Sequence, residues 1–166
     1  LDSNGPVLFK QVRVTTYGRK FKIWKFRTMV NHADKLGTQV TTKGDARITR
    51  MGHLLRKVRL DELPQLFNVL KGDMTFVGTR PEVPKYVTHY TEEMMATFLL
   101  PAGVTSRTSI EYKDEDSLLE NAEDADEVYI KEVLPAKMVY NLREIEKFSF
   151  MRDICTMIKT VIAVAK

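Results

Sequence analysis

The chain has 166 residues, 43% of them apolar and 29% charged, with a formal net charge of +4. That length fits one domain over residues 1–166, large enough to bury a core without covalent staples. A single cysteine, Cys155, excludes an internal disulfide and agrees with a reducing compartment. No run of eighteen apolar residues occurs, so these residues contain no spanning helix. The opening "LDSNGPVLF" has neither an initiator methionine nor a signal peptide and reads as the start of a fragment.

The charge is unevenly placed. Residues 1–80 carry 16 Lys+Arg against 6 Asp+Glu, and residues 81–166 carry 10 against 16. A basic half points to an anionic partner: phosphate, nucleotide, nucleic acid or an acidic membrane surface. Taken singly, most of these cations belong to solvated faces.

In chain order, "PVLFKQVRV" alternates, with Val7, Phe9 and Gln11 on one face and Leu8, Lys10 and Val12 on the other. "RKFKIWKFRTM" alternates too, and "TTYG" between them supplies a turn at Gly18, so a β-hairpin is predicted. A polar connection follows from Asn31 to Gly44. "DARITRMGHLLRKVR" predicts a helix capped by Asp45, with Ile48, Met51, Leu55 and Val58 as its apolar stripe. Leu63, Leu66, Phe67 and Leu70 fall at i, i+3, i+4 and i+7, so a second helix begins near Asp61; Pro64 fits only its first turn. "MTFVGTRPE" reads as a short buried strand running into a turn.

"VPKYVTHYTEEMMATFLL" predicts a further helix, stopped by Pro101 and Gly103. Residues 111–132 hold ten acids and two lysines and read as an exposed acidic excursion. They lack the alternating acids and central glycine of a calcium loop. Two helical segments close the chain. In the last, Phe150, Ile154, Met157, Ile158 and Val161 make a stripe expected to pack on a core, membrane contact being the less common role. The fold class is therefore mixed α/β (α+β), a small N-terminal hairpin or sheet followed by mostly helices.

The adjacent acids Asp61 and Glu62 stand among Arg56, Lys57 and Arg59. At a helix start, free N–H groups, the helix dipole and nearby arginines would all favour an ionised Asp61. The commoner role for such an Asp is a simple helix cap, and for Glu62 a first-turn acid. Arg80 alone is a turn-side cation. Their joint occurrence with Lys25, in "KFRT", points further, because Arg binds phosphate in a fork and Lys as a point charge. An ionised Asp61 there is placed to attack phosphorus, and Glu62 to hold magnesium beside nucleotide phosphates.

Neither G-x-x-x-x-G-K-[ST] nor G-x-G-x-x-G is present. His32, His53 and His89 show no ligand spacing, and Ser106 and Ser109 have no nearby histidine. Trp24 and Tyr17 suit a half-buried hairpin better than a base-stacking platform.

"GPVLFKQVRV", "KFRTM", "LDELPQLFNVLKGDMTFVGTRP" and "FSFMRDICTMIKTV" together resemble the bacterial sugar transferases, the monotopic phosphoglycosyl transferases. The resemblance runs through nearly the whole chain in order, and the "DELPQL…N…LKGDM" segment is its most specific part. It implies transfer of a phosphosugar from a UDP-sugar to polyprenyl (undecaprenyl) phosphate, the first step of capsule, exopolysaccharide or glycan assembly. It implies that Asp61 is the nucleophile, forming a covalent phosphosugar intermediate with loss of UMP, and that Glu62 binds Mg2+. It places Lys25, Arg56 and Arg80 at phosphate-binding positions. It also implies a monotopic seat on the cytoplasmic face of the bacterial inner membrane, through an N-terminal re-entrant helix and interfacial helices.

Three departures stand out. The re-entrant helix is not in this sequence, and the usual Pro-Arg-Pro turn is Thr79-Arg80-Pro81. After "PAGVTS", where many members carry a tryptophan and Gly-Arg-Asn, this chain has "RTSIEYKDEDSLLENAEDADEVYIKE". Arg107 and Lys113 are the two candidates to replace the family's arginine there. Sugar identity and oligomeric state are open at this level, a homo-oligomer included.

Two other classes compete. A nucleic-acid-binding module would use the basic N-terminal half, but Asp61 and Glu62 would repel phosphate there and no nucleic-acid motif is present, so no nucleic acid partner is expected. A non-catalytic membrane-associated scaffold would have no use for the intact acid pair.

Overall fold

The computed structural model describes residues 2–33, 36–37, 40–42, 44–112, 119, 122 and 124–165. Strands β1 (Leu8–Val14) and β2 (Lys20–Phe26) pair antiparallel, with Gln11 opposite Ile23 and Phe9 opposite Lys25. Tyr17 at φ 55° and Gly18 at φ 73° reverse the chain between them, as the turn residues predicted. Phe21 and Ile23 are buried on the inner face and join Met74, Val69 and Val104 in a small core.

Helix α1 (Arg50–Lys57) starts later than predicted. Its cap is Thr49, whose hydroxyl accepts the Gly52 N–H, whereas Asp45 is tied to the Arg47 guanidinium. Asp45 sits five residues ahead of the helix, so its carboxylate grips a side chain instead of a helix end. A Cβ on Gly52 would lie 2.0 Å from the Thr28 carbonyl oxygen, so only glycine lets α1 press on the end of β2. The Thr49 N–H donates to that same carbonyl at 2.9 Å.

A 3₁₀ turn (Leu60–Gln65) leads into the short helix α2 (Leu66–Leu70). Here the predicted amphipathicity is inverted. Asp61, Gln65 and Asn68 are buried, and the apolar stripe Leu63, Leu66, Phe67 and Leu70 faces outward, Leu70 being 83% exposed. Asn68 explains part of this: its Oδ1 accepts the Trp24 N–H at 3.0 Å and its Nδ2 donates to the Lys22 carbonyl at 2.9 Å. One side chain thus pairs with the free edge of β2 as a neighbouring strand would.

Strand β3 (Thr75–Val77) pairs parallel with β4 (Gly103–Thr105). A Cβ on Gly103 would come within 2.1 Å of the Gly78 nitrogen, so the two backbones cross where no side chain fits. The single helix predicted between them is instead broken into α3 (Pro84–Val87), α4 (Glu92–Met95) and a 3₁₀ turn (Ala96–Leu99). Thr91 causes the restart by capping Met94.

After α5 (Arg107–Glu111), the acidic region departs from its predicted exposed state, as far as its residues are described. Leu119 is 1% exposed and Ala125 and Tyr129 are buried, all in the larger core with Val83, Tyr86, Leu134 and Met138. Apolar residues interspersed among the acids anchor it. Helix α6 (Ala125–Val128) runs through a π-helical turn (Tyr129–Val133) into α7 (Leu134–Glu146), and α8 (Phe150–Ala165) follows. Helix α8 packs on α5, β3 and β4, yet Phe150, Met151, Ile158, Val161 and Ile162 remain exposed. Its stripe therefore covers the core less than the pattern predicted. The mixed α+β class is as expected, with the hairpin at the N-terminus and helices dominating the rest.

Candidate active site

The five residues singled out by sequence, Lys25, Arg56, Asp61, Glu62 and Arg80, all line one cleft of about 1310 Å³. Each reaches it for a local reason. Lys25 continues the inward alternation of Phe21 and Ile23 along β2. Arg56 closes the last turn of α1 and donates from Nε to Thr28 Oγ1 at 2.9 Å, so the threonine of "KFRT" fixes the arginine. Arg80 leaves β3 just past the Gly78–Gly103 crossing and donates to the Val104 carbonyl at 3.4 Å.

Arg59, at φ 53°, turns the chain sharply before the acid pair. Glu62 then accepts both terminal nitrogens of Arg80, one at 2.9 Å, and Lys25 Nζ at 3.3 Å. Burial alone would raise its pKa; Arg80 and Lys25 outweigh that and hold the carboxylate well below its usual range. Lys25 responds in the opposite sense. Burial pushes it down and Glu62 only partly opposes this, while Arg80 and Arg13 push further, leaving it at about 8.

Asp61 is 6% exposed and is not the N-cap of its turn, a position that Arg59 takes. Its Oδ1 is buried without a hydrogen-bond partner among the described residues. The commoner cap role is therefore absent. Its pKa is raised from the ordinary aspartate value: burial raises it, Lys25 opposes, and the neighbouring Glu62 adds to the rise. A carboxylate held in this way lacks the solvation that would blunt its nucleophilicity.

Sequence reasoning missed the opposite wall. Arg13, on the inner face of β1, donates to the Pro81 carbonyl at 3.1 Å and pairs with Glu82 at 3.4 Å. The Tyr129 hydroxyl donates to Glu82 at 2.5 Å, and Lys137 lies over the Tyr129 ring. The available signal was the inward register of Arg13, two residues from Gln11. Gln65, 1% exposed on the Asp61 turn with neither amide atom partnered among the described residues, was missed too. Its place in the specific "DELPQL" segment was its only mark.

Of the other candidates, Ser106 borders the cleft and Arg107 does not. Arg107 pairs with Glu144 at 3.7 Å; Lys113 lies outside the described residues. Ser106 caps α5 by accepting the Ser109 N–H at 2.9 Å. Among the described residues no three His, Cys, Asp or Glu side chains cluster as a metal site. The donors present suit a cation held jointly by a carboxylate and substrate phosphates, as magnesium usually is, and not one caged by protein alone.

The pattern described as bacterial sugar transferase matches residues 1–166. The chain is 37% identical over 164 residues to a UDP-N-acetylgalactosamine-undecaprenyl-phosphate N-acetylgalactosaminephosphotransferase of Aeromonas hydrophila, covering 97% of this chain and 36% of that protein. It is 40% identical over 140 residues to the UDP-glucose:undecaprenyl-phosphate glucose-1-phosphate transferase of Escherichia coli K12, covering 80% and 30%. It is 52% identical over 91 residues to the Xanthomonas campestris pv. campestris protein so named, covering 54% and 19%. The chain thus spans well under half the length of each of these three relatives. With a match over its full length, the chain belongs to the bacterial sugar transferase family.

Proposed function

We propose that this chain is the catalytic part of a phosphoglycosyl transferase that moves a phosphosugar from a UDP-sugar to undecaprenyl or a related polyprenyl phosphate. The observation that carries the reading is Asp61: buried, its Oδ1 unpartnered among the described residues, in the wall of a cleft that Lys25, Arg56 and Arg80 also line. An Asp61 oxygen attacks the sugar-bearing phosphorus. The bridging P–O bond breaks and UMP leaves with the electron pair. A phosphate oxygen of the polyprenyl phosphate then attacks the same phosphorus and frees the carboxylate.

Lys25, Arg56 and Arg80 hold the pyrophosphate and stabilise the charge that gathers on its oxygens. Glu62 keeps Arg80 and Lys25 aimed at that point. A magnesium ion, when bound, would be held by Glu62 together with the pyrophosphate and would neutralise the departing charge. The names of the relatives favour a neutral hexose or N-acetylhexosamine as the sugar. The outward stripes of α2 and α8 support a seat on the membrane surface, and no helix among the described residues is long and apolar enough to cross it. On this reading the membrane face is cytoplasmic, where UDP-sugars are made.

The test is UMP release from a panel of UDP-sugars by the full protein with polyprenyl phosphate. Wild type releases UMP with one or few sugars, and Asp61→Asn falls by a factor of about 10³ or more. Turnover of the variant at the wild-type rate would remove the nucleophile.

A further inference from the structure

We propose that the outer face of the hairpin is a docking surface for anionic phospholipid headgroups, so that seating of the protein depends on lipid charge and not on apolar contact alone. This deepens the membrane reading above and rests on it.

Trp24, the only tryptophan of the chain, lies on the face of β2 away from Lys25, and Lys10, its partner on β1, also borders the cleft. Lys10 Nζ sits 4.1 Å from its ring centre and Lys71 Nζ 4.7 Å. Lys22 is exposed on the same face, two residues along β2. Among the described residues none of these three lysines pairs with a carboxylate; the nearby acid Asp73 is bound by Arg19 at 2.8 Å. Stacking on an aromatic face restrains two cations at a fixed place, which freely moving surface lysines lack.

The location gives the plate its partner. The Trp24 ring packs on Phe67 at 5.8 Å, and Phe67 belongs to the outward stripe of Leu63, Leu66 and Leu70. Lys71 directly follows that stripe. Lowering the stripe into hydrocarbon brings Trp24 to headgroup depth, where its amphipathic ring is favoured, and sets Lys10, Lys22 and Lys71 among the phosphates. Uniform positive charge at that level complements an anionic leaflet and gains nothing from a zwitterionic one.

Trp24 also serves as the reporter. The full protein is titrated with phosphatidylcholine vesicles and with vesicles containing phosphatidylglycerol, following Trp24 emission and flotation at low and high salt. Tighter binding to phosphatidylglycerol by tenfold or more, weakened by salt, is expected. Lys10→Gln, Lys22→Gln and Lys71→Gln should each weaken it roughly fivefold, leaving phosphatidylcholine binding unchanged. Equal affinity for both vesicles, or lysine variants that bind as wild type does, would overturn the lipid-charge inference while keeping the membrane reading. Absence of binding to either vesicle would overturn both. Lysine-dependent binding of an RNA oligonucleotide without phosphatidylglycerol binding would reassign the face to nucleic acid.

Discussion

Arg80 grips both carboxylate oxygens of Glu62, and Lys25 reaches the same carboxylate from the hairpin. Two distant segments are thereby locked at the cleft by one acid. Glu62→Gln would leave two cations facing each other without a counter-charge. A loss of about 2 kcal/mol of stability is expected, read as a lower urea midpoint at unchanged slope. The low pKa of Glu62 sets the pH window: its contribution is present above the ordinary glutamate range and disappears as pH falls through the lowered value.

Asp61 should show the opposite trade. Its raised pKa means that the folded state disfavours the charge, so stability present below the ordinary aspartate range is lost as pH rises through the raised value. Asp61→Asn removes that burden. It should melt several degrees higher than wild type at neutral pH, with the difference shrinking in acid, even as activity collapses. An unchanged or lower midpoint at pH 7 would show that the carboxylate is not held under strain.

Lys25, with its pKa near 8, should leave its mark on the pH profile. As the ammonium loses its proton, a phosphate contact goes with it. kcat/KM for the UDP-sugar should therefore fall above about pH 8. Lys25→Arg, which stays charged, should be slower at neutral pH yet lose that alkaline limb. Retention of the limb in the variant would assign it to another group.

Asn68 carries two hydrogen bonds from α2 to the backbone of β2. Asn68→Ala strands both backbone groups and should cost about 2–3 kcal/mol. Because β2 positions Lys25, activity should drop along with stability, which a joint measurement of melting and KM would detect.

Much of this site was legible because its parts are chemically explicit: two acids and three cations in short, specific segments, all found lining one cleft. The hairpin was legible from alternation and Gly18. The second helix misled, since Leu63, Leu66, Phe67 and Leu70 carry the spacing of a core face yet point outward. Periodicity reports that a face is apolar, not whether protein or lipid covers it. The burial of Asp61 was not legible, because the depth of a side chain depends on neighbours distant in sequence. In the acidic region the described apolar residues Leu119 and Tyr129 are buried in the larger core, which the weight of composition did not signal. The Arg13–Glu82–Tyr129 wall joins residues far apart in the chain, and the inward register of Arg13 was its one local signal.

The most direct measurement is intact-mass and peptide analysis of the full protein mixed with its UDP-sugar before any polyprenyl phosphate is added. The account predicts one phosphosugar on the peptide bearing Asp61, absent from Asp61→Asn and discharged when polyprenyl phosphate is supplied. UMP released stoichiometrically with product while no adduct forms at residue 61 would contradict it.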